Sequence, residues 1–316
     1  MKRHVISRFS IFLKGMAMGI ADIIPGVSGG TIAIITGVYE EFLATLNNID
    51  IKLLKLLFKG KIKKVWKKYN LNFLSYLLLG ITSSIIILSH FITFLMEQYP
   101  VIVWSFFFGL ILAGIAILFR EIKNWNLKIT KILFSPHLYF FVFGLAIAIL
   151  VQTLKPGNNE TSTIYLFFCG MISITAMLLP GVSGAYILVL LGAYETLLNT
   201  LKEVFKFNSE YFLNFFSFIM GALISIKLFS RLLTWAYKNH KDNTLLCLIG
   251  FMIGSLPTLW PWKTEQFSNE IFLSNLYVPN GYFLNIEFIK GILFIITGII
   301  FVLILEHISK KNATKK

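Results

Sequence analysis

Cysteine is almost absent from this chain: Cys169 and Cys247 are the two in 316 residues. Both sit inside apolar runs without metal-ligand spacing, so they read as packing residues and exclude a disulfide-stapled scaffold. Charge is scarce as well, at 14% of residues where soluble domains carry about 25%. Acidic residues are the rarer sign, 15 against 29 basic, which leaves a net charge of +14. A surplus of that kind can mark a nucleic-acid binder. Here, however, the basic residues lie between apolar runs, where Lys and Arg set membrane topology, and nucleic acid is not an expected partner. What remains is hydrophobic: 56% of residues, with a mean hydropathy of +0.75, against roughly 45–50% apolar usage in soluble domains. These values describe an integral membrane protein of several spans and exclude a soluble enzyme or a disordered tail. The N-terminus is charged and then apolar, but Lys14 interrupts the run and no small-residue cleavage site follows, so it is expected to belong to the fold.

A membrane-spanning helix needs about 20 apolar residues. Six runs meet that: 71–96, 101–120, 135–154, 211–236, 243–262 and 287–308. Two more apolar stretches, 11–46 and 163–205, are broken by Pro-Gly-Val-Ser-Gly, at Pro25 to Gly29 and Pro180 to Gly184. Proline and glycine end helices, so each stretch predicts two shorter helices around an irregular tip. Charge favours a re-entrant hairpin over a single crossing. The segment 52–68 carries eight lysines and the N-terminus carries Lys2, Arg3, Arg8 and Lys14; a hairpin keeps both on the cytoplasmic side. The resulting topology places 22 basic residues inside and five outside, with Lys227 and Arg231 within a span and both termini cytoplasmic.

Shifted by 155 positions, residues 15–40 match 170–195 at 12 of 26 positions, including both Pro-Gly-Val-Ser-Gly runs and Gly37, Tyr39 and Glu40 with Gly192, Tyr194 and Glu195. Asn72, Phe73 and Ser75 resemble Asn214, Phe215 and Ser217, and Gly109 corresponds to Gly250. The expected fold is an all-α polytopic membrane protein with an inverted repeat: residues 1–154 and 155–316, each a re-entrant hairpin plus three transmembrane helices. An odd number of crossings per half makes the hairpins enter from opposite faces. Inverted repeats with interrupted helices are a transporter architecture, with substrate held between the repeats. The bland alternative for each run is a tight turn buried by its neighbours.

In each hairpin the second arm begins at the tip, so free helix N-terminal amides would face the membrane interior and favour an anion such as phosphate or carboxylate. Candidate binding residues are Ser28, Gly29, Gly30 and Thr31 at the first tip and Ser183 and Gly184 at the second. Thr31 adds a hydroxyl that the second copy lacks, since Ala185 and Tyr186 follow Gly184. Charged residues within the membrane are functional candidates. Asp22, three residues before Pro25, would repel an anion, and is expected to be protonated, paired with a cation or involved in ion coupling. Lys227 and Arg231 are candidate partners for the anion or for Asp22; Arg231 also reads as a snorkelling residue. Glu40 and Glu195 read equally as entrance guards in ion coupling or as partners of loop lysines. His90 reads as a packed, hydrogen-bonded residue. The lysine-rich segment 52–68, with Leu53, Leu54, Leu56, Leu57, Phe58, Ile62, Val65 and Trp66, reads as an amphipathic helix or helical pair on an anionic leaflet. No metal site and no cofactor are expected.

The run from Gly15 to Glu40, which begins Gly-Met-Ala-Met-Gly-Ile-Ala-Asp-Ile-Ile-Pro-Gly-Val-Ser-Gly-Gly-Thr, closely resembles the PopT family of bacterial membrane proteins, formerly a domain of unknown function. The resemblance implies a flippase that returns undecaprenyl phosphate from the outer to the inner leaflet of the inner (plasma) membrane for reuse in cell-envelope synthesis. It implies an anionic polyprenyl lipid as partner. A proton and a sodium ion are the two candidate coupling ions, and the sequence does not choose between them. The residues themselves specify only a transporter for an anion. Met177 and Ala185 make the second copy a less complete match. A rival is the BacA-type undecaprenyl pyrophosphate phosphatase, with a similar Pro-Gly-x-Ser-Arg-Ser motif. Gly29 stands where that arginine would be, which counts against phosphoryl transfer. A carrier of a small soluble anion is the third reading.

Overall fold

The computed structural model describes residues 7–24, 27–122, 138–154, 157, 162–262 and 286–314, and these are helical with no strands among them. The first interrupted stretch forms α1 (Arg8–Ile23), α2 (Gly29–Ile35) and α3 (Tyr39–Asn48). Two short helices follow, α4 (Ile51–Phe58) and α5 (Ile62–Lys68), joined through Gly60 at φ +66°. Next come α6 (Leu71–Gln98), α7 (Pro100–Glu121) and α8 (Leu138–Thr153). The second interrupted stretch forms α9 (Thr163–Leu178), α10 (Gly184–Leu190) and α11 (Tyr194–Phe205). The remaining helices are α12 (Phe212–Asn239), α13 (Lys241–Ser255) and α14 (Ile286–Thr314).

Each interrupted stretch therefore holds three helices rather than the expected two. The seven-residue α2 and α10 both end at a glycine in the left-handed region, Gly37 (φ +71°) and Gly192 (φ +65°). There the amides of Val38 and Ala193 reach back to the carbonyls of Ala33 and Leu188, which closes a Schellman-type cap. Between α10 and α11 the chain turns through 109°. Serine starts the first helix of each stretch: Ser7 Oγ accepts from the Ser10 amide, and Ser162 Oγ from that of Tyr165.

Among the described residues five helical segments are long and apolar enough to cross a membrane, namely α6, α7, α12, α13 taken together with the turn that follows it to Leu259, and α14 counted to His307; a sixth span results if α10 and α11 act as one bent span. The expected span 135–154 appears as the 16-residue α8, and residues 135–137 lie outside the described residues. The expected span 243–262 is an α-helix only to Ser255. Pro257 lacks an amide to continue the ladder, and a 3-10 turn runs from Leu256 to Leu259. Helices α7 and α13 are the most enclosed of the five, whereas α6, α12 and α14 turn most of their apolar side chains outward. His90, expected to be packed, is exposed on α6. Cys169 is buried and Cys247 half-buried, as packing residues should be.

Helices associate as four close pairs: α1 with α6, α9 with α12, α7 with α14 and α8 with α13. Each pair is sealed by reciprocal glycines. Gly15 lies on the Leu77 carbonyl and Gly80 on that of Phe12; Gly170 faces Phe218 and Gly221 faces Phe167. In the same way Gly109 meets Ile295, Gly298 meets Phe106, Gly144 meets Cys247 and Gly250 meets Phe141. A methyl group at any of these eight positions would collide with a backbone carbonyl of the partner helix. Small residues that let backbones touch are how membrane helices gain dispersion contact where lipid removes the hydrophobic drive.

Candidate functional site

The two serine-bearing bends lie against each other. Ser28 is the N-cap of α2: its Oγ accepts from the Gly30 amide at 3.1 Å. Its hydroxyl hydrogen is shared between the carbonyls of Leu179 (3.2 Å) and Met177 (3.4 Å) in the second bend. Thr31 Oγ1 accepts from the Gly181 amide at 2.9 Å, and the Tyr39 hydroxyl donates to the Leu178 carbonyl at 2.8 Å. Gly30 packs so closely that a Cβ there would stand 3.1 Å from the Met177 carbonyl. Residues some 150 positions apart thus form one junction, and Pro25 and Gly26 lie outside the described residues.

The two sides of this junction differ. On the first, Ser28 and Thr31 are fully buried, and the amides expected to be free are occupied: those of Gly29, Gly30 and Thr31 donate to the Asp22 carboxylate, Ser28 Oγ and the Ser28 carbonyl. Asp22, in the last turn of α1, places Oδ1 2.7 Å from the Gly29 amide, so a carboxylate already stands at the start of α2. On the second, Ser183 and Gly184 are half-buried and Ala185 is exposed. Ser183 Oγ accepts from the Tyr186 amide at 3.4 Å, and the amides of Gly184 and Ala185 have no partner among the described residues.

Tyr39 also lines a cavity of about 710 Å³ between α3, α7 and the facing ends of α12 and α13. Ile34, Leu43 and Leu118 give it apolar wall, and Glu40, Glu41, Asn48, Asn70, Glu121, Lys238 and Lys241 give it polar wall. Glu40 is exposed and faces Lys241 at 3.8 Å, while Lys241 also pairs with Glu121 at 3.1 Å. Glu41 accepts from Asn70 at 2.8 Å. Glu40 is thus both cavity wall and lysine partner. Glu195, its repeat mate, is exposed in the first turn of α11.

A protein-family model described as undecaprenyl phosphate translocase-like matches residues 18–271. The chain belongs to that family. It is 38% identical over 279 residues to a polyprenyl-phosphate transporter of Vibrio cholerae serotype O1, covering 88% of this chain and 86% of the other. A polyprenyl-phosphate transporter of Staphylococcus aureus is 31% identical over 258 residues, covering 79% of this chain and 85% of the other. No solved structure matches.

In this translocase-like chain the remaining sequence candidates lie away from the bends. Lys227 donates from α12 to the carbonyls of Asn47 and Ile49 (2.7 Å to the latter), so it closes the C-terminal end of α3 instead of pairing with Asp22. Arg231, one turn on, is exposed. Among the described residues no group of three or more His, Cys, Asp or Glu could hold a metal ion. Sequence reasoning missed two contacts. Lys14, counted above as a topology charge, donates to the Thr36 carbonyl at 2.6 Å and puts a cation at the end of α2. The repeat-equivalent carbonyl, Leu191, is reached by the Tyr165 hydroxyl. The other missed contact is Tyr39 to Leu178; its signal was the Tyr39–Tyr194 match, used above only for alignment.

Proposed function

We propose that the chain is a polyprenyl-phosphate transporter that moves undecaprenyl phosphate from the outer to the inner leaflet of the plasma membrane, with the phosphate held where the two bends meet. Family membership supports the substrate class. The observation that carries the placement is the junction itself: Ser28 and Thr31 hydrogen-bonded to the second bend, beside half-open Gly184 and Ala185 amides. An anion inside hydrocarbon needs such donors, because burying it unpaired costs on the order of tens of kcal/mol.

The two interrupted stretches act as re-entrant hairpins of inverted repeats 1–154 and 155–316, with both termini cytoplasmic. Support comes from the matched seven-residue α2 and α10, their matched left-handed glycines, and the exchanged pairing of α7 with α14 and α13 with α8. Asp22 is the coupling group. Its carboxylate holds the Gly29 amide that a phosphate would use, so headgroup entry requires it to leave or take up a proton. Tyr39 closes the junction towards the cavity, which serves as the inward vestibule, with Glu40 at its wall. Hydrolysis is disfavoured because Gly29 replaces a motif arginine and Lys227 is engaged elsewhere.

The deciding experiment is a leaflet-resolved assay of polyprenyl-phosphate movement in proteoliposomes, with and without proton and sodium gradients. Accelerated movement that one gradient drives is expected. Phosphate release from a lipid pyrophosphate without such movement would overturn transport in favour of hydrolysis, and competition by inorganic phosphate alone would favour a soluble-anion carrier.

A further inference from the structure

Helices α4 and α5 and the Gly60 turn between them carry Lys52, Lys55, Lys59, Lys61, Lys63, Lys64, Lys67 and Lys68, with no acidic residue between positions 51 and 68. All eight lysines are exposed. Between them stand apolar side chains that the fold leaves uncovered: Phe58 is 90% exposed, Ile62 59%, and Leu57 and Trp66 42% each. The unit is nonetheless fixed to the protein. Val65 and Tyr69 are fully buried, the Trp66 indole donates to Asn72 at 2.6 Å, and Asp50 caps α4 through the Leu53 amide. The Tyr69 hydroxyl donates to the Asp50 carboxylate and Lys68 lies 4.0 Å from it; chiefly through that hydroxyl, the carboxyl is held below its usual range.

We propose that α4, α5 and the Gly60 turn form a docking platform for a bilayer surface of anionic headgroups, with Phe58 and Ile62 seated among the acyl chains and the lysines on the headgroups. Interleaving decides the occupant. A nucleic acid or an acidic protein would satisfy the lysines and leave Phe58 in water, whereas an anionic leaflet satisfies both kinds of side chain at one depth. The platform runs directly from Asn48 to Asn70, both of which line the 710 Å³ cavity, so docking holds the rim of that cavity at headgroup level. The platform requires only that the chain is embedded in a membrane, and stands apart from the identity of the lipid carried.

The test uses the full chain in vesicles, with Cys169 and Cys247 replaced by Ala and a bimane reporter on Phe58→Cys. Brominated acyl chains should quench it strongly in phosphatidylcholine containing phosphatidylglycerol, and at least fivefold less in phosphatidylcholine alone. Replacing Lys59, Lys61, Lys63 and Lys64 by Gln should abolish that preference, because each lysine near an anionic surface strengthens association about fivefold. A reporter on Ile87, 67% exposed on α6, should be quenched alike in both lipids and in the four-lysine variant, which verifies insertion and folding. Equal quenching at position 58 in the two lipids, strong or weak, or a lipid preference that survives the lysine replacements, would overturn the proposal.

Discussion

Replacing Asp22 by Asn should tighten binding of a polyprenyl phosphate. In the structure the carboxylate holds the Gly29 amide at 2.7 Å, and a second phosphate-like anion cannot use that donor at the same time. A hydrogen bond to a charged group contributes about 1.5–3 kcal/mol and a neutral one about 0.5–1.5 kcal/mol, so Asn should weaken the self-occupation by about 1–1.5 kcal/mol. Since 1.4 kcal/mol is a factor of ten, apparent affinity should rise up to about tenfold. Removing like-charge repulsion acts in the same direction. The pH dependence has a defined sign: protonating Asp22 removes its charge and weakens its hold on the amide, so affinity of the unmodified protein should rise as pH falls, while Asp22→Asn stays flat. Weaker capping should also cost about 1 kcal/mol of stability, visible as a lower melting temperature in detergent. The assay is equilibrium binding of a short-chain polyprenyl phosphate to purified protein across a pH series, beside proteoliposome transport. Weaker binding by a folded Asp22→Asn variant, or an unchanged pH profile, would refute the competition and leave Asp22 as a structural cap.

Gly29→Val should abolish transport while leaving protein in the membrane, because even a Cβ there would come within 2.6 Å of the Asp22 carboxylate; membrane-fraction blots beside transport rates check it. Gly184→Val should do the same from the other bend, where a Cβ would meet the Ser173 carbonyl at 2.7 Å. Tyr39→Phe leaves the buried Leu178 carbonyl without its donor, at a cost of about 1–3 kcal/mol. The loss should open the cavity side, measured as faster thiol labelling of a cysteine at Ile34. For topology, a cysteine at Lys61 should label only from the cytoplasmic side and one at Asn159 only from outside.

Much of the fold was legible because membrane helices announce themselves by run length, and because Pro-Gly-Val-Ser-Gly occurs twice at one spacing. The second break in each stretch was present in the matched Gly37 and Gly192, but a glycine within an apolar run does not reveal its φ. The meeting of Thr31 with Gly181 had no local signal; it depends on how two interrupted stretches some 150 residues apart are brought together. The partners of Lys227 and Lys14 were not legible, for a physical reason. Depth along a helix says nothing about the direction of a long side chain, and helix ends offer unpaired carbonyls that attract ammonium groups. Lys227 and Lys14 both answer to such carbonyls, on Ile49 and Thr36, and neither lies at a bend.

The eight glycines that bring backbone against backbone divide the molecule mechanically. Each sealed couple can tilt as one plank, since sliding along its seam would push side chains into carbonyls on the opposite strut. Articulation is left to α2 and α10, two-turn pieces with a serine bend at one end and a left-handed glycine at the other. In the proposed transport cycle a lipid headgroup would be handed across by rocking two small levers between stiff uprights, without unzipping any pair of helices.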